Sequence, residues 1–331
     1  MAINVKGKLA KGSVKILHIK REPTEKEMGL GSFEFTDDYS IFDYGKMPDT
    51  IPGKGESLAR MAAYNFEQLA KKGISSHYRK FVAPNEIEVN LVRVLYPQKK
   101  EISLHTRNYL VPLEIIFRNS LPAGSSVFKR LDKGELKVTD LGLDKYPFPG
   151  QVLPKPLIDV STKLEETDRY LGWREAKELS GLTEPQIEEA KVWARKVNEF
   201  ITSKAESIGL HHADGKIELA VTPEDKLIVV DVFGTLDEDR MLMDSVHVSK
   251  QVLRDYYKAL PWYKKLEDAR ANNDPKEKWP VPPKMSSKLK EIVGNMYKGV
   301  CEAWVGKKIW KAPSVQEAVG EYVEFLEKQR I

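Results

Sequence analysis

Short runs in which apolar and polar residues alternate recur along the first three quarters of the chain and predict β-strands. They lie at residues 5–19, where a glycine turn divides two strands, and at 32–36, 86–96, 109–118, 216–221 and 227–232. Pro112 falls inside the fourth of these runs. Because proline removes a donor from the ladder, we expect an edge, a bulge or a hinge there, at the crossing between two lobes.

Other segments carry the apolar repeat of an amphipathic helix. One such helix is predicted over 56–72, with Gly73 as its end. Thr183 and Gln186 fit a capping box, which predicts the start of a long helix that ends near Gly209. Further helices are predicted over 248–260, 287–305 and 314–329, with a proline-rich connector at 274–284. A chain of 331 residues exceeds one average domain, so we expect two lobes that meet at a cleft.

The composition is that of a soluble globular protein, with 41% hydrophobic and 31% charged residues. No run of about 18 apolar residues could span a membrane, and the first residues lack the apolar segment of a signal peptide. The single cysteine, Cys301, excludes an internal disulfide framework and fits a reducing cytoplasm. The net charge of +4, without a basic block that contains aromatics, argues against nucleic acid but suits small anionic ligands.

The predicted hairpin over 216–232 carries the most informative charges. Alternation places Asp214, Lys216 and Glu218 on one face, and Asp231 follows the apolar residues 228–230. If the strands pair, Glu218 and Asp231 approach each other, and two adjacent carboxylates repel unless a cation lies between them. Carboxylate oxygens completed by substrate phosphates suit Mg²⁺. The alternative, slightly favoured by these residues taken alone, is an ordinary surface hairpin with solvated charges.

Several basic positions could hold anions. Gly12-Ser13 with Lys15 could cover nucleotide phosphates, or be a plain hairpin. The sequence Gly-Lys-Gly at 53–55 precedes a helix and could hold an anion at its N-terminus, or simply close a loop. Arg118 ends an apolar strand and is followed by the hydroxyl-bearing loop 123–126, a combination that suits phosphate or carboxylate.

Three further features have competing interpretations. Lys250 and Arg254 lie four residues apart on a helix, where like charges are unfavourable unless an anion bridges them. The polar segment 161–168 is either a helix start or a loop that lines a ligand. Adjacent His211 and His212 point to opposite faces of a strand, so we expect a structural role and not a shared metal.

The order of several motifs resembles that of the SAICAR synthetase (phosphoribosylaminoimidazole-succinocarboxamide synthase) family. The motifs are GSVKILHI at 12–19, DDYSIFD at 37–43, PGKG at 52–55, PLEIIFRN at 112–119, GSS at 124–126, TKLEETD at 162–168, DGKIE at 214–218, DVFGTLDEDR at 231–240 and SKQVLRDYY at 249–257. They span residues 12–257 in the order of the family. The C-terminal part of the chain is covered only loosely.

The resemblance implies a two-lobed α+β fold with the active-site cleft between the lobes. Residues 1–110 would form an N-terminal antiparallel β lobe with a phosphate-covering loop. Residues 111–260 would form a larger central α+β lobe with the metal and ribotide residues. Residues 261–331 would form a C-terminal helical extension packed on the second lobe.

The resemblance also implies an ADP-forming C–N ligase of purine biosynthesis, cytoplasmic and either a monomer or a homodimer. It would join L-aspartate to the carboxylate of an aminoimidazole ribotide through an acyl phosphate, giving SAICAR, ADP and phosphate, with Mg²⁺ accompanying ATP. A carboxylate oxygen is a poor leaving group, so phosphorylation must come first. Positive charge must then neutralise the transferring phosphoryl group.

Site residues follow from the same resemblance. The ATP site would use Gly12, Ser13, Lys15, Leu110, Val111, Glu114, Glu218 and Asp231, the last two also holding Mg²⁺. Other substrates would be bound by Arg118, Ser125, Asp214, Arg240, Lys250 and Arg254. The catalytic residues would be Lys163, Lys216 and Asp214. Val232 stands where the family commonly has a second acid after Asp231.

Two other functions stay open at this stage. A kinase-like phosphotransferase would share the two lobes, the glycine turn and the sequence Asp-Val-Phe-Gly at 231–234, but the chain lacks the HRD catalytic loop. A nucleotide-binding regulatory protein without catalysis is the second alternative, and Val232 in place of an acid supports it. Such a protein would bind ATP and form no ADP.

Overall fold

The computed structural model describes residues 9–11, 14–165 and 167–329. Antiparallel strands in groups, separated by a few helices, make up the first three quarters of the described chain, and helices alone follow. The protein is therefore of the α+β class.

An antiparallel sheet forms the first half of the core. Its strands, in spatial order, are β1 (Leu9–Lys11), β2 (Lys15–Arg21), β3 (Gly29–Phe35), β7 (Glu86–Leu91) and β6 (Tyr78–Val82). A small separate pair consists of β4 (Asp38–Ser40) and β5 (Lys46–Thr50). Helix α1 (Lys54–Lys71) packs on the sheet with the predicted apolar stripe inward, from Leu58 to Leu69. The strand prediction over 86–96 was too long at its C-terminal end.

A second, six-stranded antiparallel sheet carries most of the charged residues expected in the site. Its strands are β8 (Tyr109–Leu121), β9 (Gln151–Thr162), β10 (His211–Val221), β11 (Leu227–Val230), β12 (Arg240–Met243) and β13 (Val246–His247). Strand β10 is central: β8 lies on one side, and β12 and then β11 lie on the other. The predicted hairpin at 216–232 is confirmed as β10 and β11.

Pro112 lies in the middle of β8, a strand that pairs on both sides. Glu218 faces Glu114, and Ala220 faces Leu110. Between these two pairs β10 advances by two residues and β8 by four, so β8 contains two extra residues. The ladder is interrupted where proline has no N–H to donate. Of the three options for this position, the structure has the bulge.

Helices cover the sheets. Two pack on the second sheet, α3 (Trp173–Ser180) and α4 (Glu184–Glu206), after the short α2 (Ser126–Asp132). The capping box of α4 is present, with the Thr183 hydroxyl accepting from the Gln186 N–H at 3.4 Å and the Gln186 side chain accepting from the Thr183 N–H at 2.9 Å. The predicted helix start is therefore confirmed.

Four helices end the chain: α5 (Gln251–Lys258), α6 (Pro261–Ala271), α7 (Ser287–Val305) and α8 (Val315–Gln329). Helix α7 packs against α1 as well as α8, and Trp304 donates to Asn65 Oδ1 at 2.8 Å. It also reaches the second sheet's loops through Tyr297, which donates to Asp237. Helix α7 therefore contributes polar contacts as well as apolar cover, while the three-segment division stays a prediction.

One apolar cluster runs through both sheets and the C-terminal helices. It contains Phe35, Phe66, Phe117, Phe233 and Trp304, all nearly without solvent contact. In the part of the chain that the structure describes, no helix is long and apolar enough to cross a membrane.

Candidate active site

Two carboxylates face each other across the ladder of β8 and β10. Glu114 lies opposite Glu218, a like-charged pair that would destabilise the ladder without cations between the two. Lys163, just beyond β9, donates to Glu218 Oε1 at 2.6 Å. Lys216 donates to the same oxygen at 2.9 Å and also to Glu114. Burial raises the pKa of Glu114, so the lysines hold Glu218 as the firmer anion.

Asp231 and Lys15 link the two sheets at the same place. Lys15 on β2 donates to Asp231 Oδ1 at 2.6 Å, and its Nζ lies 3.7 Å from Glu238 Oε1. Because Glu218 pairs with Val230, Asp231 follows directly beside it, and the charge of Asp231 acts on Glu218. The predicted approach of Glu218 and Asp231 is confirmed.

The lysines keep these buried carboxylates ionised. Although burial opposes ionisation, Lys163 and Lys216 hold the pKa of Glu218 below its ordinary value. In the same way, Lys15 and Lys163 hold the pKa of Asp231 far below its ordinary value. Despite burial, the carboxylates raise the pKa of the Lys216 ammonium well above its usual range. At pH 7 these lysines are cations, suited to stabilise negative charge and unsuited to remove protons.

A second charged group lies further along the same face of β10. Asp214 accepts from Arg118 Nη1 at 2.9 Å and from Arg240 Nε at 2.8 Å. Against the effect of burial, Arg240 and Arg118 hold the pKa of Asp214 low. Arg118 also donates to the Tyr170 hydroxyl at 2.7 Å and to Ser126 Oγ at 3.2 Å. Asp214 and Glu218 are four strand residues apart, roughly 13 Å along one face of β10.

The hydroxyl that reaches this group is not the expected one. Ser125 is the N-cap of α2, with its hydroxyl accepting the N–H two residues on. Ser126 points to Arg118 instead. Arg130 lies in α2 and forms a buried ion pair with Asp159. The segment 161–168 continues β9 to Thr162 and then forms a loop within the described residues, so the helix-start alternative was wrong.

A third group gathers cations around one buried acid. Lys54 Nζ lies 2.9 Å from Asp237 Oδ2, and Tyr297 donates to Asp237 Oδ1 at 2.8 Å. Lys250 lies 4.0 Å from the same carboxylate. Burial and the neighbouring cations lower the pKa of Lys250 and of Arg254 by more than Asp237 and the other nearby acids raise it. The anion that was expected to bridge Lys250 and Arg254 would relieve this excess.

The start of α1 is already occupied by the chain's own acid. The N–H groups of Gly53 and Gly55 donate to Asp37 at 3.1 and 2.9 Å. The first turn therefore has its anion, and the loop-closing interpretation of Gly-Lys-Gly was the better one. The lysine between these glycines is nonetheless part of the third charged group.

A small apolar surface borders the carboxylates. Met28, Val92 and Leu110 are partly buried and pack on Ala220, Ile228 and Val230. Leu110 thus lies where a base could rest, while the Val111 side chain lies in the main core. Any contact from Val111 to a ligand would come from its backbone.

The remaining residues singled out from the sequence have different places in the structure. Gly12 and Ser13 lie outside the described residues. Val232 is 2% exposed and belongs to the core, so it does not line the cleft, whereas Glu238 brings a further carboxylate near Lys15. His211 contacts Ser120, and His212 contacts Asp239 on the other side, as expected for a structural pair.

The SAICAR synthetase family model matches residues 8–269. The chain belongs to the SAICAR synthetase family. A relative from Archaeoglobus fulgidus is 43% identical over 332 residues, covering 96% of this chain and 100% of the relative. The phosphoribosylaminoimidazole-succinocarboxamide synthase of Thermoplasma acidophilum is 34% identical over 276 residues, covering 81% and 92%.

Solved structures of SAICAR synthetases have the same fold. A SAICAR synthase from Saccharomyces cerevisiae complexed with SAICAR gives a TM-score of 0.65 at 21% identity, covering 94% of this chain and 99% of that one. A type-2 SAICAR synthetase in complex with ADP gives 0.58 at 21% identity, covering 84% and 100%. The predicted family, the SAICAR synthetase-like α+β fold and an ATP-dependent ligase of purine biosynthesis are confirmed.

Sequence reasoning missed several members of the charged groups. Tyr170 and Ser126 carried no signal beyond the polar segments that contain them. Lys54 lay in the PGKG motif, but its charge was credited to the helix end and not to Asp237. Tyr297 comes from a helix remote in sequence, so only the fold could bring it to this SAICAR synthetase site.

Proposed function

We propose that this ligase binds Mg–ATP at Lys15, Glu218 and Asp231 and uses it to activate the carboxylate of an aminoimidazole ribotide for attack by L-aspartate. The observation that carries the proposal is the alternation of three partly buried lysines with the carboxylates of β8, of β10 and of Asp231, directly after β11. Such a group can accept a polyphosphate by exchanging lysine–carboxylate contacts for lysine–phosphate contacts.

The nucleotide would lie along β10 and β11. Its base would rest on the apolar surface that includes Leu110, with Glu114 beside it. Lys15 would turn from Asp231 toward the phosphates, and Gly12 and Ser13, which lie outside the described residues, are the phosphate-covering residues that the family resemblance implies. The neighbouring carboxylates already hold the Lys15 ammonium at this point and raise its pKa. A cation is therefore in place to contact the phosphates of a nucleotide.

Glu218 and Asp231 are the residues that would hold Mg²⁺. They fit the ion because both present hard oxygen ligands, both are ionised, and their negative charges repel each other unless a cation lies between them. The two carboxylates, together with phosphate oxygens and water, would supply the oxygen ligands that Mg²⁺ prefers. When bound, the ion would neutralise charge on the transferring phosphoryl group.

The ribotide would be held by the second charged group. Arg118 and Arg240 present guanidinium forks, and Asp214 fixes both of them. Because Asp214 is paired twice and has a lowered pKa, we assign it to orientation and hydrogen bonding, not to proton removal. Ser125 and Ser126 lie at the start of α2, beside Arg118.

The reacting carboxylate would then lie near Lys163 and Lys216. Transfer of the γ-phosphoryl group to that carboxylate gives ADP and an acyl phosphate, whose negative charge the two ammonium groups stabilise. The amino group of aspartate attacks the acyl carbon, the C–O bond to phosphate breaks, and phosphate leaves with one carboxylate oxygen. Lys250 and Arg254 would bind an anionic group of a substrate, since their charge exceeds that of Asp237.

The cellular setting is part of the proposal. A cytoplasmic location is supported by the single buried thiol, which a reducing compartment leaves intact. The chain would act as a monomer or a homodimer on small molecules, without nucleic acid or membrane.

An ADP-release assay tests the reaction. ADP should form only when ATP, the carboxylated ribotide and L-aspartate are all present, with free phosphate as the second product. Glu218→Gln should reduce the rate by at least about 100-fold. Glu178→Gln, at an exposed glutamate of α3, is the matched control and should be unaffected. ADP formation that ignores aspartate, or a stable phosphorylated ribotide, would contradict the proposal.

A further inference from the structure

Asp231 adopts a backbone conformation that is uncommon for residues other than glycine, although aspartate enters it more readily than most. Its φ is +57°, in the left-handed region, directly after the last residue of β11. Side chains other than glycine are disfavoured there by contact with the backbone. The surroundings must therefore hold this conformation, which aims the carboxylate at Lys15.

The segment before β6 runs beside β11 and ends at the right place to do so. The Val229 N–H donates to the carbonyl of Ser75 at 2.9 Å, and the His77 N–H donates to the Val229 carbonyl at 3.0 Å. Backbone pairing stops there. The His77 ring continues it, with Nε2 lying 3.0 Å from the carbonyl oxygen of Asp231.

The ring itself is fixed by packing. His77 is 3% exposed, and its ring centroid lies 5.8 Å from that of Phe33 and 5.4 Å from that of Phe66. With so little exposed surface, the ring is placed to support Asp231 and not to contact a substrate. Because a carbonyl oxygen only accepts, Nε2 must carry the proton in this contact.

We propose that His77 is a positioning residue of the nucleotide site. Its Nε2–H holds the Asp231 carbonyl and so keeps the left-handed turn that presents the carboxylate to Lys15 and to Mg–ATP. The inference rests on the proposed function of Asp231. It assigns a role to a buried histidine that takes no part in the chemistry.

Two amide variants separate this role from simple core packing. In His77→Gln the side-chain nitrogen can take the place of Nε2, whereas in His77→Asn the shorter side chain cannot reach the carbonyl. Both are buried amides and keep the backbone contacts to Val229. His105→Asn, at an exposed histidine, is the control for the substitution itself.

Calorimetric titration with Mg–ATP and, separately, with the ribotide gives the readout. His77→Asn should raise the dissociation constant for Mg–ATP about tenfold and the KM for ATP similarly, with the ribotide affinity within about twofold. His77→Gln should stay within about threefold for both ligands. Equal losses in the two variants, or no loss in either, would overturn the role of His77.

Wild-type protein supplies a measurement that does not depend on how the variants fold. Nitrogen-15 NMR of the histidine rings should show a neutral His77 protonated at Nε2, and protonation at Nδ1 would overturn the inference. Failure of the wild-type protein to bind Mg–ATP would contradict the proposed function. Binding that neither variant alters would remove only the role of His77.

Discussion

Each charged side chain in this cleft contacts several others. The effect of one substitution therefore depends on whether its partners keep another group of opposite charge. Lys163 and Lys216 both neutralise Glu218, so loss of one leaves the acid with a partner. Asp237 has no such duplicate, because Lys54, Lys250 and Tyr297 all depend on it. Substitutions at the lysines should therefore affect catalysis more than folding, and those at Asp237 should affect both.

Lys216→Met tests the lysines as stabilisers of charge. Methionine keeps the length and apolar stem, while the ammonium that faces Glu114 and Glu218 is lost. We expect kcat to fall by about 10²-fold or more, as when an electrostatic stabiliser is removed from an active site. The free energy of unfolding should change by less than about 2 kcal/mol, since Lys163 remains. Unchanged kcat with weakened ribotide binding would assign Lys216 to binding alone.

Asp237 should make stability depend on pH in the acid range. Although burial opposes it, Lys54 and Lys250 lower the pKa of Asp237 to about 2, from an ordinary value of 3.8. The folded carboxylate stays ionised where the unfolded one takes up a proton. The stability it contributes is thus complete above pH 3.8 and is lost as the pH falls toward 2.

Urea unfolding of wild type and Asp237→Asn at pH 5.5, 4 and 3 measures that contribution. The advantage of wild type should be largest at pH 5.5 and should shrink by about 1 kcal/mol by pH 3, because the rest of the contribution is lost only near pH 2. Asp225→Asn, at an exposed aspartate, should show no such trend. A difference that stays constant with pH would contradict the pairing with Lys54.

The elements predicted best were those whose start and end are determined by residues close in sequence. The capping box at Thr183 and the proline-rich connector depend on neighbours in sequence. The bulge in β8 could be proposed because Pro112 lacks an N–H. An edge or a hinge would also have accommodated the proline, and only the pairing with β10 decided between the three. The third charged group could not be assembled from the sequence, because Lys54, Asp237 and Tyr297 meet only through packing of α7 on α1.

Thr183→Ala should weaken α4 without touching the site. The hydroxyl that accepts the Gln186 N–H is lost, which costs about 1 kcal/mol for an N-cap. Thermal unfolding should shift down by a few degrees, and kcat and KM should stay at wild-type values. A drop in activity at temperatures where the variant is folded would contradict the separation of α4 from the cleft.

Cys301 reports on the packing of α7 against the rest of the core. Its thiol is buried, and burial raises its pKa to about 12. Because the thiolate is the reactive form, a thiol reagent at pH 8 should label the native protein at a rate set by unfolding, and denatured protein at once. Rapid stoichiometric labelling under native conditions would show that α7 opens readily.

The two sheets meet through ion pairs as well as through the apolar core. Lys15 of the first sheet contacts Asp231 of the second, at the same place where the ligase chemistry is proposed. Nucleotide binding, which would move Lys15 from Asp231 to the phosphates, should therefore alter this ion pair between the two sheets.

The identity of the family could be predicted from the sequence because its motifs are short and occur in a fixed order. The roles of Gly12 and Ser13 stay a prediction.

The acyl phosphate can be tested by following oxygen atoms. The ribotide is labelled with ¹⁸O in its carboxylate and converted with unlabelled ATP and L-aspartate, and the phosphate released is examined by mass spectrometry. If the carboxylate is phosphorylated and then attacked by the amino group, one labelled oxygen leaves in each phosphate. Phosphate free of label, with the ¹⁸O lost from the carboxylate found in water, would contradict the account.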